Sequence, residues 1–133
     1  MGVSRLEHVN IRCRHTRATR DFYVDLIGLT EGPRPAFPFR GHWLYLGEVP
    51  VVHLMEAADR AASWAHGDKA VDDAPGSGRL DHVAFRGEDF EGTREKLRAA
   101  GAAFREKVVP GERLRQLFIP DPEGVLVELN FED

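Results

Sequence analysis

One short motif occurs twice in this chain, and that duplication limits the folds open to it. Leu6-Glu7-His8-Val9-Asn10-Ile11-Arg12 returns as Leu80-Asp81-His82-Val83-Ala84-Phe85-Arg86. Each copy is followed at almost the same interval by a second polar residue in an apolar run. His53 lies 45 residues after His8, in Pro50-Val51-Val52-His53-Leu54, and Glu128 lies 46 residues after His82, in Val125-Leu126-Val127-Glu128-Leu129. The four residues are two pairs in equivalent positions of an internal repeat. A pseudo-twofold fold brings such pairs together at its axis.

Each repeat reads as strand-helix-strand-strand-strand. In the first, Val9 and Ile11 alternate with His8 and Asn10 over a strand at 5–12, the period of two that turns one face inward. A helix follows over 16–27, where Ala18, Phe22, Tyr23, Leu26 and Ile27 recur at spacings of three and four and Gly28 provides the stop. Residues 32–41, rich in Pro, Gly and aromatics, read as a loop. Strands are expected at 42–47 and 50–56 around a Gly47-Glu48 turn. The second repeat has a strand at 80–86 and a helix at 90–100, capped by Asp89 and stopped by Gly101. Its other strands fall at 103–109, 113–119 and 124–131, separated by Pro110-Gly111 and Asp121-Pro122-Glu123-Gly124. The expected organisation is a first module over 1–56, a linker over 57–79 with a short helical turn at 59–65, and a second module over 80–133. Each module has too small a core to stand alone, so the two pack together or onto another chain.

Composition closes off several function classes. A net charge of -4, with arginines interleaved among acids, argues against nucleic acid as the main partner. No apolar run approaches membrane-spanning length, and the N-terminal residues lack a signal-peptide core. The single cysteine, Cys13, has no internal disulfide partner, so a reducing cytoplasm is the natural compartment. Burial as a small apolar residue is the better reading of Cys13 than nucleophilic catalysis. No phosphate-binding glycine loop or nucleophile elbow is present.

Three neutral imidazoles and a carboxylate suit a divalent transition metal: Zn²⁺, Ni²⁺, Co²⁺, Mn²⁺ or Fe²⁺. Any one strand histidine is more often a hydrogen-bonded or solvated residue, and Glu128 alone reads as the solvated face of an edge strand. The matched spacing changes the weighing, since two accidents would have to respect the duplication. His8, His53, His82 and Glu128 are therefore the expected metal ligands, with a pocket-lining role as the alternative for His53. His15 and His66 read as solvated. His42 opens a strand beside Trp43.

These residues resemble the vicinal oxygen chelate superfamily, which includes glyoxalase I, methylmalonyl-CoA epimerase, extradiol dioxygenases, fosfomycin-resistance enzymes and bleomycin-binding proteins. The resemblance rests on Leu6-Glu7-His8-Val9, Phe22-Tyr23-Val24-Asp25-Leu26-Ile27-Gly28-Leu29, Leu80-Asp81-His82-Val83-Ala84-Phe85, and Asp121-Pro122-Glu123-Gly124-Val125-Leu126-Val127-Glu128-Leu129. It implies an α+β fold of two βαβββ modules, each a curved mixed sheet around a metal cleft, and a homodimer. It also implies that His8, His82 and Glu128 match the family's ligands. The fourth-strand position, Glu or Gln in many glyoxalases and epimerases, is His53 here.

The activity implied is that of a metal-dependent lyase or isomerase acting on a small oxygen-chelating substrate through an enediolate, with Glu128 as the base. Tyr45, Arg113, Arg115 and Gln116 are the expected substrate contacts. Phe37, Phe39 and Trp43 either wall the pocket or pack in the core. The alternatives are an Fe²⁺ ring-cleaving dioxygenase and a bleomycin-type binding protein. The first resembles a group that carries Tyr ten residues before the carboxylate, where this chain has Phe118. The second generally lacks the metal ligands.

Overall fold

The computed structural model describes residues 2–59 and 74–132. The chain divides into two compact units, Met1–Ala74 and Pro75–Asp133. The expected helical turn at 59–65, most of the linker and His66 lie outside the described residues.

The first unit contains β1 (Val9–Cys13), α1 (Thr16–Asp21), a π-helical continuation (Phe22–Ile27), β2 (Thr30–Gly32), β3 (Gly41–Leu46) and β4 (Val49–Glu56). Its strands form one mixed sheet in the order β1-β4-β3-β2. β1 and β4 are parallel, with Val9 opposite Val52 and Asn10 opposite His53. β3 is antiparallel to β4, with Trp43 also opposite His53. Alternation then sorts the side chains. Ile11, Cys13, Leu44, Val52 and Leu54 are buried with Thr19, Phe22 and Tyr23 of the helical segment. His53 and its cross-strand partner Trp43 occupy the other face.

The helix differs from its expected form. It is α-helical only to Asp21 and widens to a π-helix over Phe22–Ile27. The change of winding rotates the apolar stripe, so Ala18 is exposed and Thr19 is fully buried. The Thr19 hydroxyl stays satisfied by donating to the His15 carbonyl at 2.8 Å. Gly28 ends the segment at φ 97°, a left-handed conformation that glycine adopts without penalty. A second difference is β2. Thr30–Gly32 pairs antiparallel with Trp43–Tyr45, whereas sequence spacing marked no strand there. β1 also begins later than expected, because its pairing with β4 starts at Val9.

The second unit repeats the plan with β5 (His82–Arg86), α2 (Phe90–Ala99), β6 (Arg105–Val109), β7 (Leu114–Pro120) and β8 (Leu126–Glu132). Its sheet order is β5-β8-β7-β6, the order of the first. Asp89 caps α2 as expected, its side chain accepting from the Gly92 N–H at 3.0 Å. Phe90 and Leu97 of α2 are buried, as are Leu117, Ile119, Val127, Leu129 and Phe131 of the sheet. Burying one such side chain is worth about 1.5–3 kcal/mol. The turn into β8 is built by buried Asp121, whose carboxylate accepts from the Glu123 and Val125 N–H groups at 2.9 Å each. Both units are thus four-stranded mixed sheets carrying a helix, an α+β arrangement of two βαβββ modules in one chain.

Candidate metal centre

The two units carry the repeated pairs in the same register. In the first, His53 lies opposite Asn10, two residues along β1 from His8. In the second, Glu128 lies opposite Ala84, two residues along β5 from His82. An interval of two keeps both members of a pair on one face. The aromatic cross-strand partners also correspond, since Trp43 faces His53 and Phe118 faces Glu128.

Within the first unit the rings of His8 and His53 stack at 3.8 Å between centroids, 13° from parallel. Trp43 covers the other face of His53 at 4.0 Å. His53 is therefore enclosed between two rings and only 7% exposed. Burial, then the neighbouring His8, push its pKa down to about 4. The ring bonds the Pro50 carbonyl, to which an imidazole nitrogen can only donate. Nε2 is buried with no partner. With the proton committed to the other nitrogen, Nε2 of the neutral ring holds an unused lone pair. A buried polar atom without a partner costs about 1–3 kcal/mol, and a bound cation would remove that cost.

Within the second unit His82 sits between two carboxylates. Its Nδ1 lies 2.8 Å from Asp81 Oδ2 and its Nε2 lies 3.0 Å from Glu128 Oε2. The bond to Asp81 and the charge of Glu128 hold the His82 pKa above the ordinary imidazole value, against a smaller effect of burial. The contacts favour the imidazolium, and a divalent cation held at Nε2 would need the neutral ring and would replace its contact with Glu128. Glu128 is buried, and its other oxygen accepts from Gln116 Nε2, which also donates to Asn130 Oδ1 at 2.9 Å.

An acidic residue precedes the histidine in both copies of the motif. Glu7 Oε1 lies 3.0 Å from His8 Nδ1, and Asp81 Oδ2 lies 2.8 Å from His82 Nδ1. A carboxylate on Nδ1 fixes the ring and leaves Nε2 as the donor atom, the usual outer partner of a metal-bound histidine. The donor set and its supports fit a divalent transition metal. Each unit brings together one of the expected pairs. Among the described residues, no three or more His, Cys, Asp or Glu side chains are grouped so as to hold a metal ion.

The remaining expected site residues separate by face. Gln116 joins Glu128. Arg115, its neighbour on β7, points to the opposite side of the sheet, with its guanidinium 3.7 Å from the Phe90 ring centre and 3.3 Å from Glu91 Oε1. Arg113 occupies the turn before β7 at φ 49°. The Tyr45 hydroxyl donates to the Pro33 carbonyl and ties down the loop that leads into β3. His42 is paired with Glu31, which also takes Arg20 at 2.8 Å. Burial works against the charge on Glu31, yet these two bonds hold its pKa below the usual value. Cys13 is wholly buried. Asn130, Glu7 and Asp81 were absent from the expected site, although the acid before each histidine was already visible in the repeated motif.

Residues 5–129 match the family model described as Glyoxalase/Bleomycin resistance protein/Dioxygenase superfamily. A curated relative, "Glyoxylase I 4" of Arabidopsis thaliana, is 26% identical over 132 residues, which is 97% of this chain and 71% of that protein. Among solved structures, the fosfomycin resistance protein FosX of Listeria monocytogenes superposes with a TM-score of 0.72 at 16% identity, covering 98% of this chain and 95% of that one. Lactoylglutathione lyase of Agrobacterium tumefaciens gives 0.71 at 17% identity, covering 97% and 94%. At such identities the two structures speak for the fold alone. With a family model spanning nearly its whole length, the chain belongs to the Glyoxalase/Bleomycin resistance protein/Dioxygenase superfamily.

Proposed function

We propose that His8, His53, His82 and Glu128 hold one divalent transition metal, and that the protein is a glyoxalase-like lyase or isomerase. The observation that carries this reading is the buried Nε2 of His53, a neutral lone pair without a partner, at the repeat position that Glu128 occupies in the other unit. The donor set admits Zn²⁺, Ni²⁺, Co²⁺, Mn²⁺ and Fe²⁺.

When bound, such a cation supplies Lewis acidity to two neighbouring oxygens of a substrate and lowers the cost of an enediolate. The chain's own residues do the rest. His53 offers a neutral nitrogen and His8 stacks beside it, and Asp81 orients His82. Glu128 is the one carboxylate of the set, so it is the group that takes the proton from carbon and returns it. Gln116 holds Glu128 Oε1, which leaves Oε2 directed at His82. Phe118, directly opposite Glu128, offers no hydroxyl as a proton donor, which favours proton transfer over oxygen chemistry.

The working form is proposed to be a homodimer. Leu6 and Leu80 are 87% and 59% exposed at equivalent positions beside the two histidine strands, and apolar residues so placed favour a covering partner.

Elemental analysis of the purified protein, followed by deuterium exchange at the carbon next to a carbonyl, tests the reading. The hemithioacetal of methylglyoxal and glutathione is the first substrate to try. Stoichiometric metal with carbon-bound exchange lost in Glu128→Gln is the expected result. Oxygen uptake with a catechol by the Fe²⁺-loaded protein, abolished by Glu128→Ala, would overturn it in favour of ring cleavage.

A further inference from the structure

The first unit carries a second recognition element beside the histidine pair. The segment between β2 and β3 contains Pro33, Pro35 and Pro38, whose fixed φ angles stiffen it. On it Phe37 and Phe39 stack at 5.1 Å, 7° from parallel. The Arg34 guanidinium lies 5.3 Å from one ring centre and 5.2 Å from the other. Phe37 in turn lies 6.3 Å from Trp43, which covers His53. The row Arg34, Phe37, Trp43, His53 is continuous. Phe37 remains 41% exposed, an apolar ring face left open on a rigid loop.

Arg34 spends one donor, Nη2, on the Phe39 carbonyl at 3.0 Å. Its Nε is buried with no partner. No carboxylate is paired with this guanidinium among the salt bridges of the described residues. A half-buried guanidinium held beside aromatic rings, with no carboxylate paired to it among the described salt bridges, is suited to an anionic oxygen group. The rings beside it suit a flat apolar body.

We infer that Arg34 and Phe37 form a substrate subsite that selects molecules joining an anionic oxygen group to a planar apolar body. The anion sits on Arg34, the flat portion lies along Phe37 and Trp43, and the remainder of the molecule reaches toward His53. The inference deepens the proposed function by naming a substrate class, and it rests on that reading for its place in catalysis. Binding itself needs only the first unit.

Trp43 serves as the reporter. The chain has two tryptophans, so Trp64→Phe leaves Trp43 as the emitter. The metal-stripped protein in chelator is titrated with benzoate, phenylphosphonate, benzyl alcohol and acetate. Benzoate or phenylphosphonate should quench Trp43 saturably, at least about ten-fold more tightly than benzyl alcohol or acetate. The stronger of the two anions identifies carboxylate or phosphonate chemistry. Arg34→Gln should weaken the anion by about ten-fold or more and leave benzyl alcohol unchanged, and Arg34→Lys should restore part of the loss. Phe37→Ala should weaken anion and alcohol alike.

Equal binding of benzoate and benzyl alcohol would overturn the subsite. So would an Arg34→Gln variant that weakens both equally, because that marks a collapsed loop. The titration is repeated in His82→Ala, which lacks a ligand of the proposed metal centre in the other unit. Unchanged constants there support the subsite even if the metal reading fails, and their loss counts against an independent binding element.

Discussion

Replacing Gln116 with Leu tests how the carboxylate at the centre of the second unit is held. Gln116 and Glu128 are 9% and 8% exposed, and the amide bridges Glu128 to Asn130. Leu is close to Gln in size, so the packing of β7 is largely kept and the loss is one of hydrogen bonds. A bond to a charged group contributes about 1.5–3 kcal/mol and one between neutral groups about 0.5–1.5. Asn130 is only half-buried and rehydrates, so its share falls at the low end. Glu128 keeps a buried charge with one oxygen bare. The expected cost is about 2–3 kcal/mol in urea unfolding of metal-stripped protein at pH 7. In a Glu128→Gln background the charge is absent, and the same substitution should cost only about 1 kcal/mol. A loss below about 0.5 kcal/mol, or an equal loss in both backgrounds, would refute the claim that Gln116 acts on the carboxylate.

The pH dependence of stability follows from His53, whose pKa of about 4 lies below the roughly 6.5 of a free imidazole. The unfolded chain binds more protons between these values, so stability falls as pH drops through that window. Metal-stripped wild type should lose about 2 kcal/mol more than His53→Phe between pH 7 and pH 4.5, and parallel pH profiles would disprove this. His82→Ala should lose most of its metal at pH 7, and wild type should release metal below about pH 6 as the imidazoles take up protons; unchanged metal content in either experiment would exclude histidine ligation. Mixing His8→Ala with His82→Ala protein tests assembly, because a site shared between two chains regains one intact set per mixed dimer. Metal binding that returns on mixing would place each site across two chains, and a mixture that binds no better than its parts would place each site within one chain.

The pairing of candidate residues within each unit was legible in the chain because strand geometry converts spacing into direction. The repeat placed His8, His53, His82 and Glu128 at matched positions, and the observed registers keep His53 and Glu128 opposite corresponding residues of the first strand in each unit. The same rule governs β7. Adjacent strand residues face opposite ways, so Arg115 and Gln116 could not both reach one site. Gln116 turns to Glu128, and Arg115 turns to Phe90 and Glu91. The π-helical segment was not legible because the helix-forming spacing of Phe22, Tyr23, Leu26 and Ile27 suits either winding. β2 is three residues long, too short for alternation to show. Arg34 escaped notice because its segment has no periodicity. Its direction is set by contacts with Phe37 and Phe39 that only the folded loop reveals.

The two pairs answer to one duplication yet differ in chemistry, two imidazoles in one unit and an imidazole with a carboxylate in the other. In the first unit two stacked imidazoles meet, and burial with mutual repulsion keeps His53 uncharged far below neutral pH. His53 thus offers a lone pair but is a poor holder of a substrate proton at pH 7, because a base with a pKa near 4 is too weak to keep one. In the second unit His82 and Glu128 share a contact held from outside by Asp81 and Gln116. A cation held at His82 Nε2 would replace its contact with Glu128 Oε2, while Gln116 keeps Glu128 Oε1 in place. In the proposed reaction Glu128 Oε2 would be the acceptor for the substrate's proton. Glu128→Gln should therefore abolish carbon-bound exchange, while His53→Ala should chiefly weaken metal binding. Equal loss of exchange at matched metal occupancy in both variants would refute this division of roles.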